Sequence, residues 1–171
     1  MPTPQKYNKQ GARSVYVAAL AMNWLDEMGA KGELHPNFDC SSKGQIRFTT
    51  DTTSAVIPDA AEADSGWGTR NHYFYEIVND RGKYLSMQMV ISGHNLSEEL
   101  RTVFDTIEEA FPAASHVVNW KWRTPFVTGD VPVADDMHEK EIIQVLCGLL
   151  EKVRLFEQEL TETFREGKSP E

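Results

Sequence analysis

Two carboxylates raise the question of chemistry first. Asp59 follows Pro58, and Glu76 lies further along in the aromatic stretch HYFYEIVN. A magnesium-dependent nuclease centre needs an Asp and a second acid followed two residues later by a Lys, which together hold the ion and orient water. The residue two after Glu76 is Val78, and Lys83 lies beyond the next turn. Asp59 and Glu76 could therefore serve only a divergent metal-dependent nuclease, and a motif missing its lysine weighs against even that. Other chemistries are no better served. No serine stands in a G-x-S-x-G turn. No two histidines are spaced for a zinc site, and no C-x-x-C occurs. SGWGTR has two glycines, but Trp67 stands between them and no helix start follows to receive phosphate. His72, His94, His116 and His138 recur at a fixed interval, yet their flanks share nothing, so no repeat is read from them. The expectation is a chain without catalytic residues, metal ligands or cofactor.

Residues suited to binding are easier to find. NWKWRTPF (119–126) interleaves Trp120 and Trp122 with Lys121 and Arg123. A base-stacking platform needs exposed aromatics with cations along the backbone path. Strand alternation would put the two tryptophans on one face and the two cations on the other. The plain reading sends the tryptophans to the core and the cations to solvent; the alternative is an edge strand with its Trp face open. Trp67, in its glycine turn, stands near Arg70, Tyr73 and Tyr75, a grouping rich in the residue types of binding hot spots if exposed. A tryptophan in such a turn also serves to cap a core.

Charge narrows the partners. The net charge is −9, and it is unevenly placed: residues 1–95 hold 9 Lys/Arg against 10 Asp/Glu, while residues 96–171 hold 8 against 16. An acidic half repels phosphate backbones and suits a basic protein surface. Glu98, Glu99, Glu108 and Glu109 could stand in for phosphates there, against the bland reading of a solvated helix face. The nucleic-acid alternative would use Lys6, Lys9, Arg13, Lys121 and Arg123. No apolar run approaches the ~20 residues of a membrane span, and no signal peptide is read at the start. Cys40 and Cys147 are far apart and lack metal spacing, which suits reduced thiols in the cytoplasm.

The elements that must position these residues read as α+β: a mainly antiparallel sheet of about four strands packed with three helices, the last one long. Residues 1–12 read as a flexible arm, 13–166 as one domain and 167–171 as a tail. Ser14 is the expected cap of a helix running to about Met28. Residues 33–38 and 45–50 read as strands, and a short helical turn is expected at 54–63. A hairpin follows over 72–79 and 83–91, turning at DRG. Leu85, Met87, Met89 and Ile91 share one face of its second strand, and the other face reads as half-buried. Residues 97–111 form an amphipathic helix capped by Ser97 or Asn95. In the last helix, about His138 to Arg165, the residues Ile142, Leu146, Leu149, Val153, Phe156 and Leu160 make a heptad seam. That seam packs on its own domain in the bland reading and forms a homodimer in the sharper one.

The stretch SGWGTRNHYFYEIVNDRGKYLSMQMVISG, then LRTVFDTIEEAF and NWKWRTPF, resembles the region after the catalytic core in some bacterial and phage PD-(D/E)XK nuclease-superfamily proteins. The likeness covers about residues 45–127. The family's catalytic Asp and (Asp/Glu)-x-Lys are absent, so the resemblance implies an accessory module from genome-defence or phage proteins rather than a nuclease. The resulting expectation is a non-catalytic, cytoplasmic interaction protein, such as an acidic inhibitor acting on a defence nuclease through a protein partner.

Overall fold

The computed structural model describes residues 4–62, 65–112 and 122–166, with side chains from Gly11 onward. Helix α1 (Pro4–Ala30) leads into strands β1 (Leu34–Asn37) and β2 (Gln45–Thr50), then the one-turn helix α2 (Asp51–Ser54). Strands β3 (Tyr73–Asp80) and β4 (Tyr84–Ser92) form the central hairpin. Helix α3 (Glu98–Ala110), strands β5 (Trp122–Val127) and β6 (Val131–Pro132), and helix α4 (Glu139–Glu166) complete the chain. Every strand pairing is antiparallel, in the order β1-β2-β3-β4-β5, with β6 also on β4. The fold is α+β, as expected, but among the described residues the sheet has six strands rather than about four.

One face of the sheet carries the core. Tyr73, Tyr75 and Ile77 of β3 pair with Ile91, Met89 and Met87 of β4, and all six are buried. Val17, Ala21, Trp24 and Leu25 of α1, and Leu100, Phe104 and Ile107 of α3, join them in a single cluster. So do Ile142, Leu146, Leu149, Val153, Phe156 and Leu160 of α4. The six seam residues thus pack inside their own domain, as the bland reading has it. Each such side chain fully buried contributes about 1.5–3 kcal/mol, which no partner helix could take without opening the core.

Three local expectations are corrected. The first helix begins at Pro4 and takes up residues 4–12, which read as a loose arm; Pro at a first helical turn loses nothing by lacking an N–H. Ser14, the expected cap, is buried inside that helix, and its carbonyl accepts from Asn79 Nδ2 at 3.0 Å. The short helical turn comes earlier than 54–63, because the Thr50 hydroxyl accepts from Thr53 N and starts it at Asp51. The hairpin turn itself is as expected. Gly82 has φ +71, and a Cβ there would lie 2.9 Å from the Arg13 and Ser14 backbone, so the turn is glycine's because α1 presses against it. Pro36, Pro125 and Pro132 interrupt the outer strands β1, β5 and β6, which blunts their capacity to pair with other chains.

Candidate functional site

On the sheet face opposite the core cluster, strand parity decides what is presented. Gln45 and Arg47 of β2, Glu76 of β3, Gln88 and Val90 of β4, and Trp122 and Thr124 of β5 line a shallow cavity of about 320 Å³ together with Trp67. Arg47 stands opposite Glu76, and Glu76 opposite Gln88, so the three polar side chains form a row across neighbouring strands. Glu76 is 2% exposed. Its carboxylate accepts from Arg47 Nε at 2.7 Å and from Gln88 Nε2 at 2.7 Å. Arg47 also donates to the Gln45 side chain at 3.0 Å and to the Cys40 carbonyl. Both charges of this pair are satisfied, which is what allows a buried carboxylate here.

An aromatic group closes one end of the row. Trp67 meets Trp122 at 4.6 Å between ring centroids and Phe74 edge-on at 4.9 Å, and His94 lies 5.2 Å from Trp122. The Arg47 guanidinium lies 6.0 Å from the Trp67 ring. The turn that delivers Trp67 is fixed by its neighbours. Ser65 is buried, its hydroxyl donates to the Thr69 carbonyl at 2.9 Å, and its own carbonyl accepts from the Ser92 hydroxyl. Gly66 has φ +95, and a Cβ there would stand 3.0 Å from His94 Cδ2 and 3.1 Å from Trp122 Cη2. The SGWG turn is therefore a packing device that lays Trp67 against Trp122.

The alternation in WRTPF runs opposite to the plain reading. Trp122 is 41% exposed on the open face, while Arg123 turns inward, its side chain 14% exposed and paired with Glu108 of α3. The cause is positional. Arg123 pairs with Ile91, and Phe126 with Met89, across a register shift that keeps both on the core side. Phe126 stacks on Phe156 at 4.6 Å. Trp120 and Lys121 lie outside the described residues.

The structure scatters the other candidates. Tyr73 and Tyr75 are buried on the core face, so they do not join Trp67 in a recognition patch. Arg70 is exposed, but its Nε donates to the Ala60 carbonyl at 2.7 Å and closes its own loop. Asp59 is exposed and lines a separate cavity with Glu62 and Glu99, while Glu76 lies on the sheet row; a metal centre shared by Asp59 and Glu76 is not assembled. Among the described residues no group of three His, Cys, Asp or Glu is arranged to hold a metal ion. Glu98, Glu99 and Glu109 are exposed on α3, whereas Glu108 is taken by Arg123. Of the cations proposed for nucleic acid, Arg13 donates to the Ala134 carbonyl at 2.7 Å, stands over the Tyr16 ring, and is thus committed to the fold, as is Arg123. Lys6 and Lys9 belong to α1. No helix among the described residues is long and apolar enough to cross a membrane.

Arg47, Gln88 and His94 are not among the site residues that the sequence singles out. Arg47 was readable as facing away from Ile46 and Phe48, but its partner Glu76 is fixed only by the β2–β3 register. No family model, no curated protein and no solved structure matches the chain.

Proposed function

We propose that the chain is a non-catalytic interaction protein that docks a protein partner on the open sheet face around Trp67 and Trp122. The observation that carries this reading is Trp122: a tryptophan 41% exposed, packed at a tilt against a second tryptophan, on a sheet face with a satisfied polar row beside it. A large aromatic surface held rigid before binding costs little further ordering when a partner covers it, and tryptophan is the residue most enriched in binding hot spots. The row Arg47–Glu76–Gln88 offers no unpaired acid, base or nucleophile, so it suits recognition rather than turnover. Prokaryotic or phage genome defence is the setting we propose, and it rests on the likeness of residues 45–127 alone. The nucleic-acid alternative is weakened by the engagement of Arg13 and Arg123 within the fold.

The test is affinity purification of the tagged protein from a bacterial lysate, alongside Trp122→Ala and the triple variant Glu98→Lys/Glu99→Lys/Glu109→Lys. A stoichiometric protein partner lost with Trp122→Ala, roughly 30-fold or more in affinity, and kept by the triple variant is expected. Trp122→Ala should cost about 1–2 kcal/mol and still fold, since its ring is 41% exposed but packs on Trp67 and His94. Loss of the partner only in the triple variant would move the contact to α3 and favour an acidic mimic of phosphates. Salt-labile nucleic acid with no protein would overturn the reading.

A further inference from the structure

A larger cavity lies on the helical side of the sheet. It is a cleft of about 600 Å³ between the start of β1, the α2 turn and the second half of α4. Glu157 of α4 lines it and is 7% exposed. Its Oε2 accepts two hydroxyl hydrogen bonds, from Thr50 and from Thr53 at 2.7 Å. The bonds are relayed inward: because Thr53 donates to Glu157, the Tyr75 hydroxyl must donate to Thr53 Oγ1, 2.8 Å away. Glu157 Oε1 has no side-chain or backbone donor among the described residues, and no Lys, Arg or His there lies within ion-pair distance of the carboxylate. The walls add Leu34 and Leu150, both nearly buried, and the carboxylates of Glu33, Asp51 and Glu162. Arg154 and Arg165 are the cations of the lining; Arg154 is drawn to Glu33 at 3.7 Å and Glu151 at 3.5 Å.

We propose that this cleft binds an organic cation, an alkyl-ammonium or alkyl-guanidinium group, with its charged head on Glu157 Oε1 and its stem against Leu34 and Leu150. A buried carboxylate held by neutral hydroxyls alone is costly, and a cation on its open oxygen would supply both the missing charge and a charge-assisted hydrogen bond. With four carboxylates against Arg154 and Arg165, the lining is net negative and disfavours anions. A metal ion would need a set of ligands that the described residues do not assemble, whereas an ammonium or guanidinium head needs one positioned acceptor and an apolar wall. Thr50 and Thr53 fix the rotamer of Glu157 before the ligand arrives, which lowers the ordering cost of binding. The site is separate from the tryptophan face and does not depend on it.

The experiment titrates the full chain with two probes, agmatine as a free cation and N-acetyl-Gly-Arg-Gly-amide as a side chain borne on a peptide. Binding is read by isothermal titration and by backbone amide shifts. Saturable binding of either probe is expected, with the largest shifts at Thr50, Thr52, Gln158 and Thr161. Glu157→Gln keeps an acceptor for both threonines and should weaken binding at least tenfold, whereas Trp122→Ala should leave it unchanged. Tighter agmatine would identify a free amine as the ligand source, and tighter peptide a partner's side chain. Shifts that never saturate, or equal affinity in Glu157→Gln, would overturn the proposal. If that variant does not fold, the wild-type shift map decides: shifts spread over the acidic surface instead of the cleft overturn it.

Discussion

Glu76 and Glu157 are both buried carboxylates, one on each side of the sheet, and they solve the same electrostatic problem differently. Glu76 has a full counter-charge in Arg47 and an amide from Gln88. Glu157 has two hydroxyls on one oxygen and no cation. A pair such as Arg47–Glu76 is self-contained: it fixes β2 against β3 and has nothing left for a ligand. A carboxylate held by hydroxyls alone is fixed in place but not neutralised, and it keeps capacity for a partner from outside. The comparison separates a residue that holds the fold from one that could use it.

The difference should show most strongly in stability. Arg47→Ala leaves Glu76 buried and unpaired, and about 3–5 kcal/mol of loss in urea unfolding is expected. The double change Arg47→Met/Glu76→Met removes both charges and should recover most of that loss. Glu157→Gln orphans no charge and keeps both threonine bonds, so about 1 kcal/mol or less is expected. An Arg47→Ala variant as stable as Glu157→Gln would erase the distinction.

A smaller effect comes with pH, on the core side. Burial pushes the Tyr73 hydroxyl up to about 12 and the Tyr75 hydroxyl well above its ordinary value, with the nearby Glu157 carboxylate adding to both. In the unfolded chain these phenols ionise near pH 10. Below that, folded and unfolded states hold the same protons and the two groups leave stability flat. Above it the unfolded state loses protons first, so stability falls as pH rises from about 10 to 12. Tyr73 alone contributes on the order of 2–3 kcal/mol across that window. Urea midpoints measured from pH 8 to 12 should slope downward only above about 10, and Tyr73→Phe should make the slope shallower. An unchanged slope in Tyr73→Phe would deny that this phenol stays protonated in the fold.

Much of the scaffold was legible in the sequence because its signals are local. The hairpin, helix α3 with its Ser97 cap, and the apolar face of α4 follow from period and turn chemistry within a few residues. The start of α1 is not legible: Ser14 looks like a cap in the sequence, whereas the helix begins at Pro4 and its interior Ser14 meets the distant Asn79. The sites were less legible for the same reason. Glu157 carries no local signal of its role: its partners Thr50 and Thr53 lie more than a hundred positions away. Trp122 and Arg123 obey alternation, but alternation alone does not say which face is the core. That was settled by the pairing of Arg123 with Ile91 and its ion pair with Glu108. The inference that the tryptophans go inward fails at Trp122, which packs against Trp67 on the outer face and closes one end of the polar row.

The smallest effect tests that packing. Gly66 and Gly68 both have positive φ, at +95 and +70, but only Gly66 has neighbours where a Cβ would stand. Gly68→Ala should carry the backbone cost alone, about 1 kcal/mol. Gly66→Ala adds contacts at 3.0 Å to His94 and 3.1 Å to Trp122, so about 2 kcal/mol is expected. The rings must then part, which should red-shift tryptophan emission and raise the solvent exposure of Arg47 beside Trp67. Because the core-side cleft is untouched, agmatine binding at Glu157 should be the same in both variants. Equal destabilisation and equal emission spectra for the two alanines would mean that Trp67 and Trp122 do not pack as a pair, and the open face would lose its rigid platform while the Glu157 cleft kept its own case.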